Sequence, residues 1–364
     1  MIKKIYILLI FIALILFCGY NRINTKIKTY SSDIYITSDL EGRFDLYLNF
    51  FTRIGLLDFN MSPEDIKDIT NNLHRKIVLE KDISFCRLLT EKITPSVISK
   101  AINKNFSGQI IINGDLTSNR IGYIFSSDGL TAEMQDIDLV ASFNKCSVEL
   151  LKTLKDVLQE RLIIIAGNHD VHDSLSVHDV YTHQEQTKSL DEIKKYALDN
   201  LSLYRFYKIL IKNKLFVFKH AAGTMAQHFK EILNKNNPVF LQPSFVKRDK
   251  TAEERYFWLY FNDSKFGINE TTEKILSTTN VFLVHGHTHE RPDNVYDDGM
   301  IYLHKQLSQN RLCSDWDVHT ALLEGKRIYY YHIDMSSGEI TAKDFFSDEK
   351  YFSANPFSKQ ARFI

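Results

Sequence analysis

Arg161-Leu-Ile-Ile-Ile-Ala-Gly-Asn-His-Asp170 is a bare apolar run that stops at a glycine and then presents an amide, an imidazole and a carboxylate in succession. Leu162 to Ala166 shows no polar alternation, which suits a central strand buried on both faces of a helix-covered sheet. Gly167 permits a sharp turn, and the polar residues fall where open α/β sheets hold their ligands, beyond the carboxyl ends of the strands. Two further stretches follow the same grammar. Gln109-Ile-Ile-Ile-Asn-Gly-Asp115 closes on Gly-Asp, and Val281-Phe-Leu-Val-His-Gly-His-Thr-His289 closes on three histidines. Asp33-Ile-Tyr-Ile-Thr-Ser-Asp-Leu-Glu-Gly42 and Leu215-Phe-Val-Phe-Lys-His220 follow it less strongly. One polar strand tip is commonplace. Five in one chain, all ending in oxygen or nitrogen donors, call for a fold that gathers several strand ends at one edge.

In this order, Asp39, Asp115, Asn168-His169, His220 and His287-Thr288-His289 resemble the calcineurin-like metallophosphoesterase family. That family's pattern is Asp-x-His, Gly-Asp, Gly-Asn-His-Asp/Glu, an isolated His and Gly-His-x-His, and the resemblance runs from about Asp33 to Pro292. One ligand differs: Glu41 stands where the family has histidine. The resemblance implies an α/β fold, a four-layer α/β/β/α metallophosphoesterase sandwich with helical insertions. It also implies two divalent metal ions, one held by Asp39, Glu41, Asp115 and His289, the other by Asp115, Asn168, His220 and His287. Among Mn²⁺, Fe, Zn²⁺ and Mg²⁺, the hard oxygen of Glu41 favours Mn²⁺.

The implied chemistry is in-line attack on phosphorus by a metal-bridging hydroxide. His169 would donate a proton to the leaving oxygen, with Asp170 orienting its imidazole. Leu116-Thr-Ser-Asn-Arg120 is similar to the Gly-Asp-x-x-Asp-Arg of the phosphoprotein phosphatase branch, with Ser118 in place of its aspartate and Arg120 one residue late. Arg120 is expected to reach phosphate as a forked donor. Strand alternation would put Asp39 and Glu41 on the same side, as two ligands of one metal need. A competing reading has Glu41 cap a helix beginning near Arg43.

Around the motifs, Ser62-Pro63 and Pro95 mark helix starts between Leu57 and Ser107, more chain than one crossover requires. A helix is expected from Ala132 to Glu160, with Val140, Phe143, Leu150, Leu151, Leu154, Val157 and Leu158 as its apolar stripe. A second helical run spans Gln186 to Lys212. Gly299 to Leu303 and Arg327 to Ile333 read as strands that finish a second sheet, the latter followed by a turn at Ser336-Ser337-Gly338-Glu339. The expected organisation is one metallophosphoesterase domain over 33–345, with helical insertions at about 58–107 and 173–212. Residues 1–20 form a membrane anchor or signal segment: two lysines precede an apolar stretch from Tyr6 to Phe17, which places the catalytic domain on the non-cytoplasmic side.

With 45 basic and 45 acidic residues the formal net charge is zero, so no polyanion-binding surface for nucleic acid is expected. The chain lacks a Gly-x-Ser-x-Gly elbow, so nothing favours nucleophilic catalysis by serine, and it lacks a Gly-Lys-Ser/Thr phosphate loop, so nucleoside triphosphatase readings fall away. Expected partners are a phosphorylated substrate, protein or small molecule, and the membrane through the N-terminal segment. The expected function is metal-dependent phosphomonoester hydrolysis of the protein phosphatase kind. Two alternatives stand beside it: a membrane-tethered non-catalytic binding module of the same fold, and a phosphodiesterase or nuclease using the same site.

Overall fold

The computed structural model describes residues 32–59, 91–117, 137–167, 170, 184–204, 206–220, 270–286, 310–313, 328–345 and 350–354. Its elements in chain order are β1 (Ile34–Thr37), α1 (Phe44–Arg53), α2 (Pro95–Ala101), β2 (Gln109–Asn113), α3 (Ile137–Leu158), β3 (Leu162–Ile165), α4 (Gln184–Asn200), β4 (Phe206–Ile211), β5 (Lys214–Lys219), α5 (Glu270–Thr278), β6 (Val281–His285), β7 (Arg311–Cys313), β8 (Tyr329–Ile333), β9 (Ile340–Asp344) and β10 (Lys350–Ala354). They form a mixed α/β fold with two mixed sheets. One has six strands in the order β10-β9-β8-β1-β2-β3, the other four in the order β4-β5-β6-β7.

The apolar runs define the centres of both sheets. β1, β2 and β3 are parallel, with Ile36 beside Ile111 and Ile111 beside Ile163. β5, β6 and β7 are parallel in the second sheet. Because side chains alternate across a strand, each run feeds two cores. Ile34, Ile36, Ile111, Ile163 and Ile165 of the first sheet cluster with Phe216, Phe218, Phe282, Val284 and Leu312 of the second. The intervening residues Ile110, Ile112, Leu162 and Ile164 cluster with Phe44 and Phe50 of α1 and with Phe143, Leu151 and Leu154 of α3. Of the α3 stripe, Phe143, Leu150, Leu151, Leu154 and Leu158 are buried as its period requires, whereas Val157 is 51% exposed near the helix end. Pro95 does begin a helix, at its first turn where a missing N–H costs nothing.

Three expectations are corrected. The helical run to Lys212 stops at Asn200, and Phe206–Ile211 is instead a strand paired antiparallel to β5 across a two-residue connection, Ile211 opposite Lys214. Its aromatic and β-branched residues favour a pleated surface once a neighbour is there to pair with. Tyr329–Ile333 does not finish the second sheet; it lies antiparallel to β1 in the first, Ile36 opposite Tyr331. The first strand ends at Thr37, two residues before Asp39. Among the described residues no helix is long and apolar enough to cross a membrane. The segment 1–20, the strand expected at 299–303 and the first part of the insertion about 58–107 lie outside the described residues.

Candidate metal centre

The strand ends of both sheets converge. Asp39 follows β1, Asp115 follows β2 and His220 follows β5, and one ligand atom from each lies within 4.8 Å of the others. The three are 1–3% exposed. Neither Asp39 nor Asp115 is on a strand, nor is Glu41: the φ values of Asp39, Glu41 and Asp115 are 53°, 47° and 47°. Strand alternation therefore does not orient Asp39 and Glu41. Both sit in a turn of left-handed residues, a conformation that costs of order 1–3 kcal/mol per non-glycine and clusters at functional sites.

A backbone ladder holds that turn open. Asp39 N–H donates to Gly114 O (3.1 Å), Glu41 N–H to Asp115 O (2.9 Å) and Gly42 N–H to Leu116 O (2.9 Å). The single Ser38 hydroxyl proton lies between two acceptors, Asn113 O at 3.0 Å and the Asp39 carboxylate. The loop after β6 joins the loop after β5, Gly286 N–H donating to His220 O at 2.8 Å. Glycines stand wherever this lacing leaves no room for a side chain. At Gly114, which has φ +97°, a Cβ would fall on the His220 ring. At Gly167 it would fall on Asp115, and at Gly286 on Asp39 and Ser38.

The His220 ring is oriented as a ligand. Nδ1 lies 3.1 Å from the Asn113 carbonyl, which can only accept, so the proton of that contact sits on Nδ1, and in the neutral ring Nε2 keeps its lone pair. Nε2 points at the cluster, 3.4 Å from Asp115. A carbonyl on one ring nitrogen with the other turned to oxygen donors is the usual outer-shell arrangement of a metal-binding histidine. Burial pulls the His220 pKa down, but Asp115, the Asn113 carbonyl and Asp170 together carry it above its ordinary value. Four carboxylates, Asp39, Glu41, Asp115 and Asp170, are all buried here. Burying so much negative charge is costly without a countercharge. A divalent cation among two carboxylate oxygens and an imidazole supplies one, and the donor set fits it.

Asp170 gathers donors from two loops. One oxygen accepts from Leu116 N–H (2.8 Å), Thr117 N–H (3.0 Å) and the Thr117 hydroxyl (3.2 Å). The other accepts from Gly167 N–H at 2.8 Å. Burial and the neighbouring Asp115 push its pKa up to about 7, against the pull of these donors. Glu41 is buried in the same turn as Asp39 but is not one of the three converging ligands. The N-cap position of α1 is Arg43, whose side chain makes no capping hydrogen bond and instead pairs with Asp45, Nε to Oδ1 at 2.7 Å. Asn168, His169, His287, His289 and Arg120 lie outside the described residues.

Two contributors escape sequence reasoning. Ser38 reads as an ordinary strand-end serine. Tyr47 reads as a core residue of α1, yet its fully buried hydroxyl has no hydrogen-bond partner among the described residues. Burial first, then Asp170, Asp39, Asp115 and Glu41, push that phenol well above its usual pKa. The available signal is a tyrosine on an otherwise apolar helix face, since a buried phenol normally finds a partner.

No protein-family model matches the chain, and no curated relative was found. Among solved structures, it is similar to a cold-active protein-tyrosine phosphatase of a psychrophilic Shewanella species, at 14% identity over 88% of this chain and 80% of that one, with a TM-score of 0.42. It is also similar to a protein serine/threonine phosphatase from Saccharomyces cerevisiae, at 12% identity over 85% of this chain and 74% of that one, with a TM-score of 0.40. Likeness of this degree assigns no activity.

Proposed function

We propose that the chain is a metal-dependent phosphoester hydrolase of the calcineurin-like metallophosphoesterase type, built as a four-layer sandwich and acting on phosphomonoesters of proteins or small molecules. The observation that carries this is the convergence of Asp39, Asp115 and His220 from three separate strand ends into one buried donor set. It joins three of the five motifs that the chain spells out in order.

Divalent metal ions, when bound, supply Lewis acidity toward a phosphoryl oxygen and activate water for attack. The rest falls to the chain. Asp39, Asp115 and His220 hold the cations, and Glu41, Asn168, His287 and His289 complete the shell. His169 gives a proton to the leaving oxygen as the ester P–O bond breaks, so that an alcohol departs as water adds to phosphorus. Arg120 steadies the phosphate with a forked pair of N–H donors. The apolar segment behind the two N-terminal lysines tethers this domain on the non-cytoplasmic side.

The test is a hydrolysis panel on purified protein reconstituted with Mn²⁺: phosphotyrosine and phosphoserine peptides, an aryl phosphate and a bis-aryl diester. Chelator-sensitive release of phosphate from the monoesters is expected. Turnover of the diester alone would reassign the site to a phosphodiesterase, and metal uptake with no turnover would reassign it to a binding module.

A further inference from the structure

Asp170 touches the candidate centre in a way its place in the Gly-Asn-His-Asp motif does not announce. A carboxylate that only oriented the preceding imidazole would spend its oxygens on that ring. This one, 1% exposed, spends them on backbone N–H groups from two different loops. Leu116 and Thr117 immediately follow Asp115 in the chain, and Gly167 immediately precedes Asn168 and His169. One side chain therefore ties the loop after β2 to the loop after β3, on the side opposite the ladder that ties the β2 loop to Asp39 and Glu41.

We propose that Asp170 is a positioning residue: its carboxylate clamps the Asp115 loop and the Gly167 turn to each other, fixing where Asp115 stands among the three converging donors. The clamp demands a carboxylate. Its two oxygens must both accept, one toward Leu116 and Thr117 and the other toward Gly167. An asparagine presents an NH₂ to one of these loops whichever way it turns. That NH₂ would face an N–H at about 3 Å, breaking one half of the clamp while keeping the side chain's size. Gly167 adds a second requirement, because any Cβ there would fall on the Asp115 carboxylate that the clamp draws in.

The inference rests on the metal reading above, and its test separates the two. Amide hydrogen exchange by mass spectrometry on metal-free wild type, D170N and T117V compares peptides covering Leu116-Thr117 and Gly167. Mn²⁺ affinity is measured on the same samples well below their melting temperatures. For D170N, exchange in both peptides is expected to rise together, at least tenfold, and Mn²⁺ binding to weaken by about 10- to 100-fold, as loss of an outer-shell partner does. T117V, which loses one hydroxyl contact and keeps both backbone donors, should fold and show a smaller change in the same direction. Unchanged exchange at either loop in D170N overturns the clamp, as does a lowered melting temperature with wild-type Mn²⁺ affinity, which marks Asp170 as merely structural. If the wild type takes up no Mn²⁺ while the two loops still loosen together, the clamp stands and the metal reading fails.

Discussion

His169 and Asp115 should separate cleanly by substitution. If the proposed function holds, His169→Ala is expected to lower turnover by roughly 10²-fold, as loss of a general acid does, with metal content intact. Asp115→Asn should lose the metal as well, because Asp115 sits within the three-donor group. Metal analysis of both variants checks the distinction, and equal loss would refute it. Tyr47→Phe removes a buried hydroxyl that has no partner among the described residues. An unsatisfied buried polar group costs about 1–3 kcal/mol, so the variant should be more stable by about 1 kcal/mol in urea unfolding. Cys146 carries a thiol pushed up to about 11, mainly by burial and then by Glu149. Its alkylation by iodoacetamide should be slow at pH 8 and accelerate through pH 10. The folded pKa lies above the unfolded value, so this thiol's contribution to stability is fully present below about pH 9 and is lost as pH rises toward 11. At this scale the sequence was legible at three motif residues. Asp39, Asp115 and His220 were marked by the apolar run ahead of each. Ser38, Tyr47 and the two-loop reach of Asp170 depend on which backbone atoms lie across a gap, and no spacing encodes that.

At the scale of elements, the helix-to-strand junction after α4 offers a test. Leu201 N–H closes the last turn onto Ala197 O, and Ser202 then takes φ 52° on an exposed surface. That is the left-handed position just past a helix end where glycine is preferred. Ser202→Gly is expected to raise stability by roughly 0.5–1 kcal/mol, and Ser202→Val to lower it by at least as much. Unfolding midpoints that move the other way would show that the turn is not strained. The same junction explains an error of sequence reading. Phe206-Tyr-Lys-Ile-Leu-Ile211 follows a charged helical stretch without glycine or proline to punctuate it, so the helical period reads straight through. Only the partner strand, with Phe206 opposite Lys219 and Ile211 opposite Lys214, makes it a hairpin. Runs with no alternation, such as β2 and β3, were legible because burial on both faces leaves its mark within the run itself.

Taken whole, the candidate centre draws Asp39 and Asp115 from the six-stranded sheet and His220 from the four-stranded one. A cation held there joins the two sheets, and a ligand that binds only the folded state stabilises it by about 4 kcal/mol at a thousandfold excess over Kd. Mn²⁺ should therefore raise the melting temperature of the whole chain in one cooperative step and EDTA should lower it, as calorimetry would show. A metal-independent melting temperature would refute the shared site. Sheet membership is where local sequence told least. Tyr329–Ile333 was legible as a strand, but its neighbour is β1, separated from it by almost the whole chain. That pairing sets a schedule. A ribosome adds about 5–20 residues per second, so Ile34 emerges some 15–60 seconds before Ile333 exists to lie beside it. Throughout that interval β1 has one flank paired to nothing, in a strand rich in isoleucine, and such an edge is open to any passing segment. Among the described elements β8 thus closes the open flank of β1, and in the nascent chain that flank has no partner until Ile333 has been made.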